Sequence, residues 1–456
     1  MDLLIIIFFG VLGLSIIVLI HELGHYFAAK ICGVGVETFS IGFGKEIFSF
    51  TRNDTKYRIS WILLGGYCKL KGEMFKPNFT EQEFEEAKKV EGSFLNSPPL
   101  KKIFISAAGP GANVIFGALI FSIISFIGFN IPTFGTRIVL QADYPLDDPN
   151  PVVIAKEAGL ETGDTILAIN EKEVNNFYEI RQIIVKSAGD NLVFQIDRNG
   201  EILERTIVPE DIPDKFEPRI GIHVWIAPII DKVKKGSSFQ IGGLKQGDII
   251  VSVNDIKIEH TVAFSKILHD KSKVLNITYK RDGELYSTVC IPRYEKDEIE
   301  TGISFKHITI RSPRVDPFSA VLQGISRTGK IFSLIIKSFA YLFRVGVKDV
   351  SDVVAGPIRI IQNVGNQALV GFNFGIGEGI TNFLSFICFL GILLAFMNLL
   401  PIPILDGGQI VLAIIMGIKR EMGPKFIYRY QLVGFSIIAM LTLLAIFSDI
   451  FYLIRF

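Results

Sequence analysis

Four long uncharged stretches limit what this chain can fold into. They cover residues 3 to 20, 103 to 136, 379 to 405 and 430 to 448. Each is long enough to cross the roughly 30 Å hydrocarbon core of a bilayer as a helix. The chain is also 49% hydrophobic and only 20% charged, which is too apolar for an ordinary soluble protein of 456 residues. We therefore expect a polytopic α-helical membrane protein with four transmembrane helices.

The expected spans are residues 1–30, 103–129, 379–405 and 430–452, with Pro132 marking the exit from the second. The first stretch lacks a basic segment before it and a small-residue cleavage site after it, so we expect a retained helix rather than a signal peptide. Basic residues flank both short connections between spans, which predicts that these loops are cytoplasmic. These residues are Lys30, Lys101, Lys102, Lys419, Arg420, Lys425 and Arg429. Both termini and the long segment 137–378 then face outward.

Charge and cysteine content exclude two other classes of protein. The net charge is +1, and we find no basic run with interleaved aromatics, so nucleic-acid binding is not expected. The four cysteines are scattered, without the spacing of a metal knuckle or the density of a disulfide scaffold. We expect no structural disulfide.

The long outer segment contains an internal repeat. AGLETGDTILAINEKEV at 158 to 174 is echoed by GGLKQGDIIVSVNDIKI at 242 to 258, and RNGE at 198 recurs as RDGE at 281. This predicts two strand-rich domains, at 137–221 and 222–309, which resemble PDZ domains of bacterial envelope proteases. PDZ domains bind an extended peptide at a sheet edge, so the copies are candidate sites for peptide tails. The alternative is that they are only a packed β-rich plug.

Two further segments have their own patterns. Residues 36–71 alternate around the turn RNDTK, which predicts a β-hairpin inside the loop 31–102. In the region 317–350, cationic residues recur at helical spacing on an otherwise apolar helix, at Arg327, Lys330, Lys337, Arg344 and Lys348. This pattern favours an amphipathic helix at the lipid bilayer surface, and the alternative is a helix packed against the repeats.

His21, Glu22 and His25 form an HExxH pattern at the end of the first apolar stretch. On a helix, two histidines four residues apart project from the same face and can bind one metal ion, with the glutamate beside them to act on a water. Each ionisable group in a membrane helix costs about 2.5 to 3.5 kcal/mol on insertion scales unless it is compensated. The alternative is that these groups only reach the polar interface from a helix end. The cost of inserting these ionisable groups favours a metal site over this alternative.

A catalytic zinc site needs a third protein ligand and an open position. Asp406 stands in FMNLLPIPILDGGQ, residues 396 to 409, at the end of the third apolar stretch. The first and third spans cross in the same direction, so His21 and Asp406 are expected at similar depth near the cytoplasmic surface. Pro401 and Pro403 break the helix before Asp406 and let its carboxylate turn inward. The alternative is that Asp406 only caps the helix that follows.

With these motifs, the sequence resembles the site-2 protease family (peptidase family M50B), in its regulator of sigma-E protease form. The resemblance covers essentially the whole chain. The motifs that carry it are HELGH, GFG, GGYCKLKGE (65–73), AAGPGAN (107–113), the two PDZ-like repeats, AGPIRI (355–360) and NLLPIPILDGG (398–408).

The resemblance implies roles for individual residues. His21, His25 and Asp406 hold one zinc ion per chain, and Glu22 is the catalytic base of metal-assisted peptide hydrolysis. Asn398 helps to hold the substrate backbone, although its amide could also join two helices by a hydrogen bond.

Other positions in these motifs divide into two groups. Pro401 and Pro403 join Asn398 as substrate-binding candidates. Gly109, Gly111 and Asn113 are interpreted as close helix packing, outside the site.

The resemblance also implies a function. The chain is expected to be an intramembrane zinc metalloprotease of the bacterial inner membrane, with its PDZ domains in the periplasm and its active site toward the cytoplasm. Its substrates are then single-span membrane proteins already cleaved by an envelope protease, such as an anti-sigma factor in a stress response or a remnant signal peptide. The PDZ domains exclude bulky outer domains, and the hairpin is membrane-reentrant and pairs with an unwound substrate strand.

Two other functions compete with this one. The first is a PDZ-bearing membrane scaffold with a structural metal site, although such a site has no use for the base Glu22. The second is a zinc transporter, which needs polar groups along a whole path, whereas these spans carry them only at one end.

Overall fold

A computed structural model describes residues 2–73, 81–146, 151–210, 219–269, 273–295, 298–300, 302–312, 314–345, 356–372, 375–418 and 423–455. The chain forms two compact units, which we call the helical unit (1–129 and 312–456) and the inserted unit (130–311). Four positions used in the sequence arguments lie outside the described residues. They are Lys348, Ala355, Lys419 and Arg420.

The helical unit begins with α1 (Asp2–Cys32), β1 (Val36–Arg52), β2 (Thr55–Leu70), α2 (Glu81–Lys89) and α3 (Pro99–Ile127). The first repeat of the inserted unit contains β4 (Ile138–Leu140), α4 (Ile154–Glu157), β5 (Thr165–Ile169), β6 (Lys172–Glu173), α5 (Phe177–Lys186), β7 (Leu192–Arg198), β8 (Glu201–Ile207) and β9 (Ile222–Val224), preceded by β3 (Asn130–Thr133).

The second repeat contains β10 (Ile230–Val233), α6 (Ser238–Ile241), β11 (Ile249–Val253), β12 (Ile256–Lys257), α7 (Thr261–His269), β13 (Leu275–Arg281), β14 (Glu284–Cys290), β15 (Arg293–Glu295), β16 (Glu298–Glu300) and β17 (Ile303–Phe305), followed by β18 (Ile308–Arg311). The chain ends with α8 (Pro317–Val345), α9 (Pro357–Phe372), α10 (Ile376–Asn398), α11 (Asp406–Ile418) and α12 (Pro424–Arg455).

Among the described residues, four helices are long and apolar enough to cross a membrane: α1, α3, α10 and α12. Helix α1 continues without a break through the HExxH residues to Cys32. Helix α10 ends at Asn398 instead of continuing to 405, because Pro401 and Pro403 have no amide hydrogen to donate within a helix. Turns cover 399–405, and α11 begins at Asp406.

Small residues bring α1 and α3 into close contact. A Cβ on Gly24 would lie 2.2 Å from the carbonyl oxygen of Ala108, a distance that only glycine allows. Ala28 and Ala29 of α1 pack in the same buried cluster as Ile105 of α3. This contact places the HExxH residues directly against the first turns of α3.

Strands β1 and β2 form more than a simple hairpin. Thr38 to Ile41 have partners in Lys56 to Ile59 and also in Gly66 to Lys69, while Glu46 to Arg52 pair with Thr55 to Ser60. The chain therefore folds back on itself and forms four adjacent strand segments. The bend in β1 falls at Gly42 and Gly44, whose φ angles of 89° and 86° favour glycine.

Helix α8 packs on the helical unit. Ile335 lies in one buried cluster with Phe121 and Ile124 of α3, and the Arg327 guanidinium lies 4.4 Å from the centre of the Phe121 ring. The first turns of α8 also expose large apolar residues, which are Phe318, Val321, Leu322 and Ile325. The buried side of α8 therefore faces α3.

The inserted unit is built from two copies of one arrangement. Each repeat has a four-stranded sheet, in the order β6-β5-β7-β8 and β12-β11-β13-β14, and a separate strand pair, β4-β9 and β10-β17. Because β9 pairs with β4, the first repeat extends past the expected boundary at 221. Strands β3 and β18 pair with each other, which joins the two ends of the unit.

An ion pair explains why two motifs recur together in the repeats. Asp164 of the first GD motif is buried and accepts hydrogen bonds from Arg198 of RNGE at 2.7 and 2.8 Å. Asp248 and Arg281 repeat this pair at 2.7 Å. The motif residues hold the same turn to the same strand in both copies.

Candidate metal centre

Three ionisable side chains meet at the end of α1. His21 and His25 lie one helical turn apart, and their Nε2 atoms are 3.2 Å from each other. Asp406, the first residue of α11, places Oδ2 3.2 Å from His21 Nε2 and Oδ1 3.4 Å from His25 Nε2. The side chains are 8%, 13% and 18% exposed, so all three are withdrawn from solvent.

The spacing of these atoms fits a zinc ion. In a tetrahedral site with zinc-ligand distances of about 2.0 to 2.1 Å, neighbouring ligand atoms are roughly 3.3 Å apart. The distances between the Nε2 and carboxylate atoms are 3.2 to 3.4 Å. Two imidazoles and one carboxylate are also a donor set that catalytic zinc sites use, with one position left for water or substrate.

The backbone of α3 fixes which nitrogen His25 presents. Its Nδ1 lies 2.8 Å from the carbonyl oxygen of Ile105. A carbonyl can only accept a hydrogen bond, so Nδ1 carries the proton and Nε2 keeps its lone pair for a metal. Gly109, one turn along α3, lies so close that a Cβ there would be 2.2 Å from Nε2 of His25.

Glu22 and Asn398 complete the surroundings of the cluster. Glu22 is half-buried and lies beside β2, where its Cγ is 3.7 Å from a Cβ built on Gly66. Asn398 ends α10 and places its amide nitrogen 3.2 Å from Nε2 of His21. Both side chains therefore border the cluster of His21, His25 and Asp406.

Comparison with known proteins gives a match over most of the chain. The model of the family described as "Peptidase family M50" matches residues 9–442. This chain belongs to peptidase family M50. A protein of Treponema pallidum named as a zinc metalloprotease is 34% identical, over 98% of this chain and 99% of its own length.

Two relatives carry a more specific name. The regulator of sigma-E protease RseP of Salmonella typhimurium is 30% identical, and that of Escherichia coli is 28% identical. Both alignments cover 96% of this chain and 97% of the relative. The sequence-based assignment to the site-2 protease family, in its regulator of sigma-E protease form, is confirmed. With four candidate membrane spans, this M50 member is a membrane zinc metalloprotease.

The two proline candidates for substrate binding, Pro401 and Pro403, lie in different environments in this M50 chain. Pro401 is exposed in the turns after α10. Pro403 lies against α12, where a Cβ on Gly434 would be 2.7 Å from its Cβ. Gly408 and Gly407 pack against the same turns, at the carbonyls of Ile402 and Leu399. These contacts hold the loop that presents Asp406.

Sequence reasoning missed two contributors to the cluster of this M50 chain. The carbonyl of Ile105 has no sequence signal, because every residue carries one. Gly109 stands in the run AAGPGAN, whose small residues predict close helix packing. The structure adds a second role, because Gly109 leaves room for the His25 ring. Given that α1 and α3 pair, the run of small residues is the signal for this role.

Proposed function

We propose that this chain hydrolyses peptide bonds within the membrane-spanning segments of single-span membrane proteins, with one zinc ion held by His21, His25 and Asp406. Zinc bound there would supply a Lewis acid that polarises the scissile carbonyl and lowers the pKa of water. The observation that carries this proposal is the convergence of three metal ligands at the ends of two apolar helices, beside Glu22.

Glu22 is the general base in this proposal. It follows His21 on α1 and lies beside β2, at the margin of the ligand cluster rather than within it. From there one carboxylate oxygen can take a proton from the attacking water and return it to the nitrogen of the leaving amine. No covalent enzyme intermediate is required.

The proposed substrate binds as an extended strand. A helical segment hides its carbonyls in internal hydrogen bonds, so hydrolysis requires local unwinding, and an open strand edge can pair with the freed backbone. In the sheet, Gly66 to Lys69 pair on one side with Thr38 to Ile41, and Gly66 lies near Glu22. The Asn398 amide lies 3.2 Å from Nε2 of His21. Because zinc would take the lone pair of that nitrogen, the amide would be left to donate a hydrogen bond to the same substrate backbone.

We place the active site toward the cytoplasm. From Asp2 to His21, α1 rises about 29 Å at 1.5 Å per residue, which is nearly the full hydrocarbon thickness. If the N-terminus lies outside, as the basic loops predict, His21 is near the inner surface. The inserted unit then lies in the periplasm of a bacterial inner membrane.

The two repeats act as PDZ domains in this proposal. Their shared strand order and recurring GD motif support two equivalent binding modules. They would admit substrates whose outer domain an envelope protease has removed, such as an anti-sigma factor or a remnant signal peptide. Binding of the newly exposed peptide tail at a sheet edge is a second way for them to select substrates.

The Glu22→Gln variant tests the mechanism. Because glutamine keeps the size but cannot accept the proton, zinc content should stay at one per chain while cleavage of a single-span reporter falls by about 10² to 10⁴. Zinc analysis of the purified variant, together with cleavage in detergent or liposomes, measures both quantities.

The same change at an exposed glutamate provides the control. Glu86→Gln on α2 should cleave the reporter at the wild-type rate. Wild-type cleavage by Glu22→Gln would exclude this glutamate as the base. A wild type that binds zinc but cleaves no membrane reporter would instead favour a scaffold with a structural metal.

A further inference from the structure

The second ring nitrogen of His21 has no hydrogen-bond partner among the described residues. His21 is 6% exposed, and its Nδ1 is buried without a hydrogen bond to any described residue. His25, by comparison, is oriented by the Ile105 carbonyl. Metal-binding histidines almost always donate the other ring N–H to an acceptor, so His21 requires one as well.

The side-chain amide of Asn113 on α3 also lacks a hydrogen-bond partner among the described residues. It is 1% exposed, and neither its amide oxygen nor its amide nitrogen meets a hydrogen-bond partner within the described chain. Leaving a buried polar group unsatisfied costs about 1 to 3 kcal/mol. The buried amide of Asn113 therefore calls for a hydrogen-bond partner, such as a bound water, in addition to its packing between helices.

The register of α1 and α3 places His21 and Asn113 at the same level of the helix pair. The helices are antiparallel, and Gly109 lies directly against His25. One turn back along α1 is His21, and one turn forward along α3 is Asn113, on the same two faces. Asn113 also lies 3.9 Å from a Cβ built on Gly391, as does Ile17, the residue one turn before His21.

We propose that Asn113 is a positioning residue for His21 and is joined to it by one bridging water. A water between them would accept from the Nδ1–H of His21 and donate to the amide oxygen of Asn113, so it gains the two or more polar partners that buried water requires. The bridge fixes the proton on Nδ1 and reserves Nε2 for the metal. This inference rests on the proposed role of His21 as a zinc ligand.

Zinc affinity measures this role without substrate. Zinc dissociation constants are obtained by competition with a chelator for wild type, Asn113→Leu, Asn113→Ala and Asn113→Asp. Loss of an outer-shell partner typically weakens metal binding by 10- to 100-fold, which we expect for the leucine and alanine variants. The aspartate variant keeps an acceptor and should stay near the wild-type constant.

Ser122→Ala is the matched control, because it removes a buried polar atom from the same helix, hydrogen-bonded at Ala118. It should leave the zinc constant unchanged. Wild-type affinity in either Asn113→Leu or Asn113→Ala, or an equal loss in Ser122→Ala, would overturn the positioning role. A wild type that binds zinc tightly but cleaves nothing would remove the proposed protease function and leave this test intact.

Discussion

At the scale of single residues, one glycine determines whether His25 can reach the metal position. Any side chain at Gly109 would meet the imidazole, since a Cβ would lie 2.2 to 2.8 Å from three ring atoms of His25. Real Cβ atoms do not approach so closely, so either the ring or the helix must move. The ring is held by Ile105, and the neighbouring Gly24 contact holds the helices.

We therefore predict that Gly109→Ala loses zinc affinity and activity without losing the fold. A displacement of about 1 Å at a catalytic group can cost roughly 10²-fold in rate, and a loss of this order is expected in reporter cleavage. Alanine is also the better helix former, by about 0.5 to 1 kcal/mol, so thermal stability should not fall for lack of helix propensity.

Gly111→Ala is the control for this substitution. It lies two residues further along α3, where a Cβ meets no atom within 4 Å. Its zinc affinity and cleavage rate should match the wild type. If both alanine variants behaved alike, the contact between Gly109 and His25 would have no bearing on the site.

Residue spacing predicted which side chains form the ligand cluster but not the contacts from α3 that orient them. The i, i+4 spacing places His21 and His25 on one helical face, and the depth of two spans brings Asp406 to them. The structure brings these three side chains together. Ile105 and Gly109 support the cluster through contacts that depend on which turn of α3 meets α1. Residue spacing within one segment does not reveal this register between two helices.

At the scale of secondary-structure elements, a buried carboxylate connects two helices of the helical unit. Asp449 of α12 is 1% exposed and accepts hydrogen bonds from the amides of Gly356 and Ile358 at 3.0 and 2.9 Å. It also accepts from Nε of Arg359 at 3.0 Å. These contacts cap the N-terminus of α9, where a negative charge also favours the helix dipole.

Asp449→Ala should destabilise the helical unit strongly. Removing one partner of a buried ion pair costs about 3 to 5 kcal/mol, and here it takes the buried carboxylate away from Arg359, whose side chain is 16% exposed. Ser448→Ala removes a neutral partner of the same arginine and should cost only about 1 kcal/mol. Thermal unfolding followed by circular dichroism in detergent compares the two. Equal midpoints would show that the pair does not stabilise this helix junction.

Local patterns predicted the four apolar spans and the strand-rich segments but not how the strands pair. Apolar stretches revealed the spans, but the third was expected to reach 405, whereas α10 ends at Asn398, before the two prolines. The pattern at 36–71 predicted a hairpin, but alternation cannot show that Thr38 to Ile41 have partners on both sides. That pairing depends on a fold-back at Gly42 and Gly44, which follows from contacts distant in sequence.

At the scale of the whole molecule, the inserted unit depends on a junction that joins its two repeats. The Arg137 guanidinium lies 3.7 Å from the Trp225 ring centre, and Trp225 lies 4.5 Å from the ring of His260. The Tyr144 ring meets the His260 ring edge to face at 4.9 Å, and Lys266 Nζ lies 5.5 Å from the centre of the Tyr144 ring. Side chains of both repeats therefore meet in one aromatic cluster around His260.

His260 is the titratable centre of this junction. It is 2% exposed, and its Nδ1 accepts the backbone amide of Ala263 at 3.1 Å, which caps α7. Burial lowers the pKa of this imidazole; the charge of Arg137 also lowers the pKa, while Glu259 opposes both effects. A neutral His260 is thus part of the folded junction, because the protonated ring cannot accept from Ala263.

The inserted unit should consequently lose stability in acid. Since the folded pKa of His260 lies below the unfolded value of about 6.5, the unfolded chain binds more protons, and stability falls as the pH drops below that value. His260→Asn keeps a capping side chain but cannot titrate. Thermal unfolding at pH 7.5 and 5.5, followed by Trp225 emission in a Trp61→Phe background, should show a larger loss of stability in acid with His260 than with asparagine.

Because the pKa of His223 is also lowered by burial, His223→Gln is measured alongside. An acid loss that disappears in His223→Gln but persists in His260→Asn would assign the effect to His223 instead of the junction.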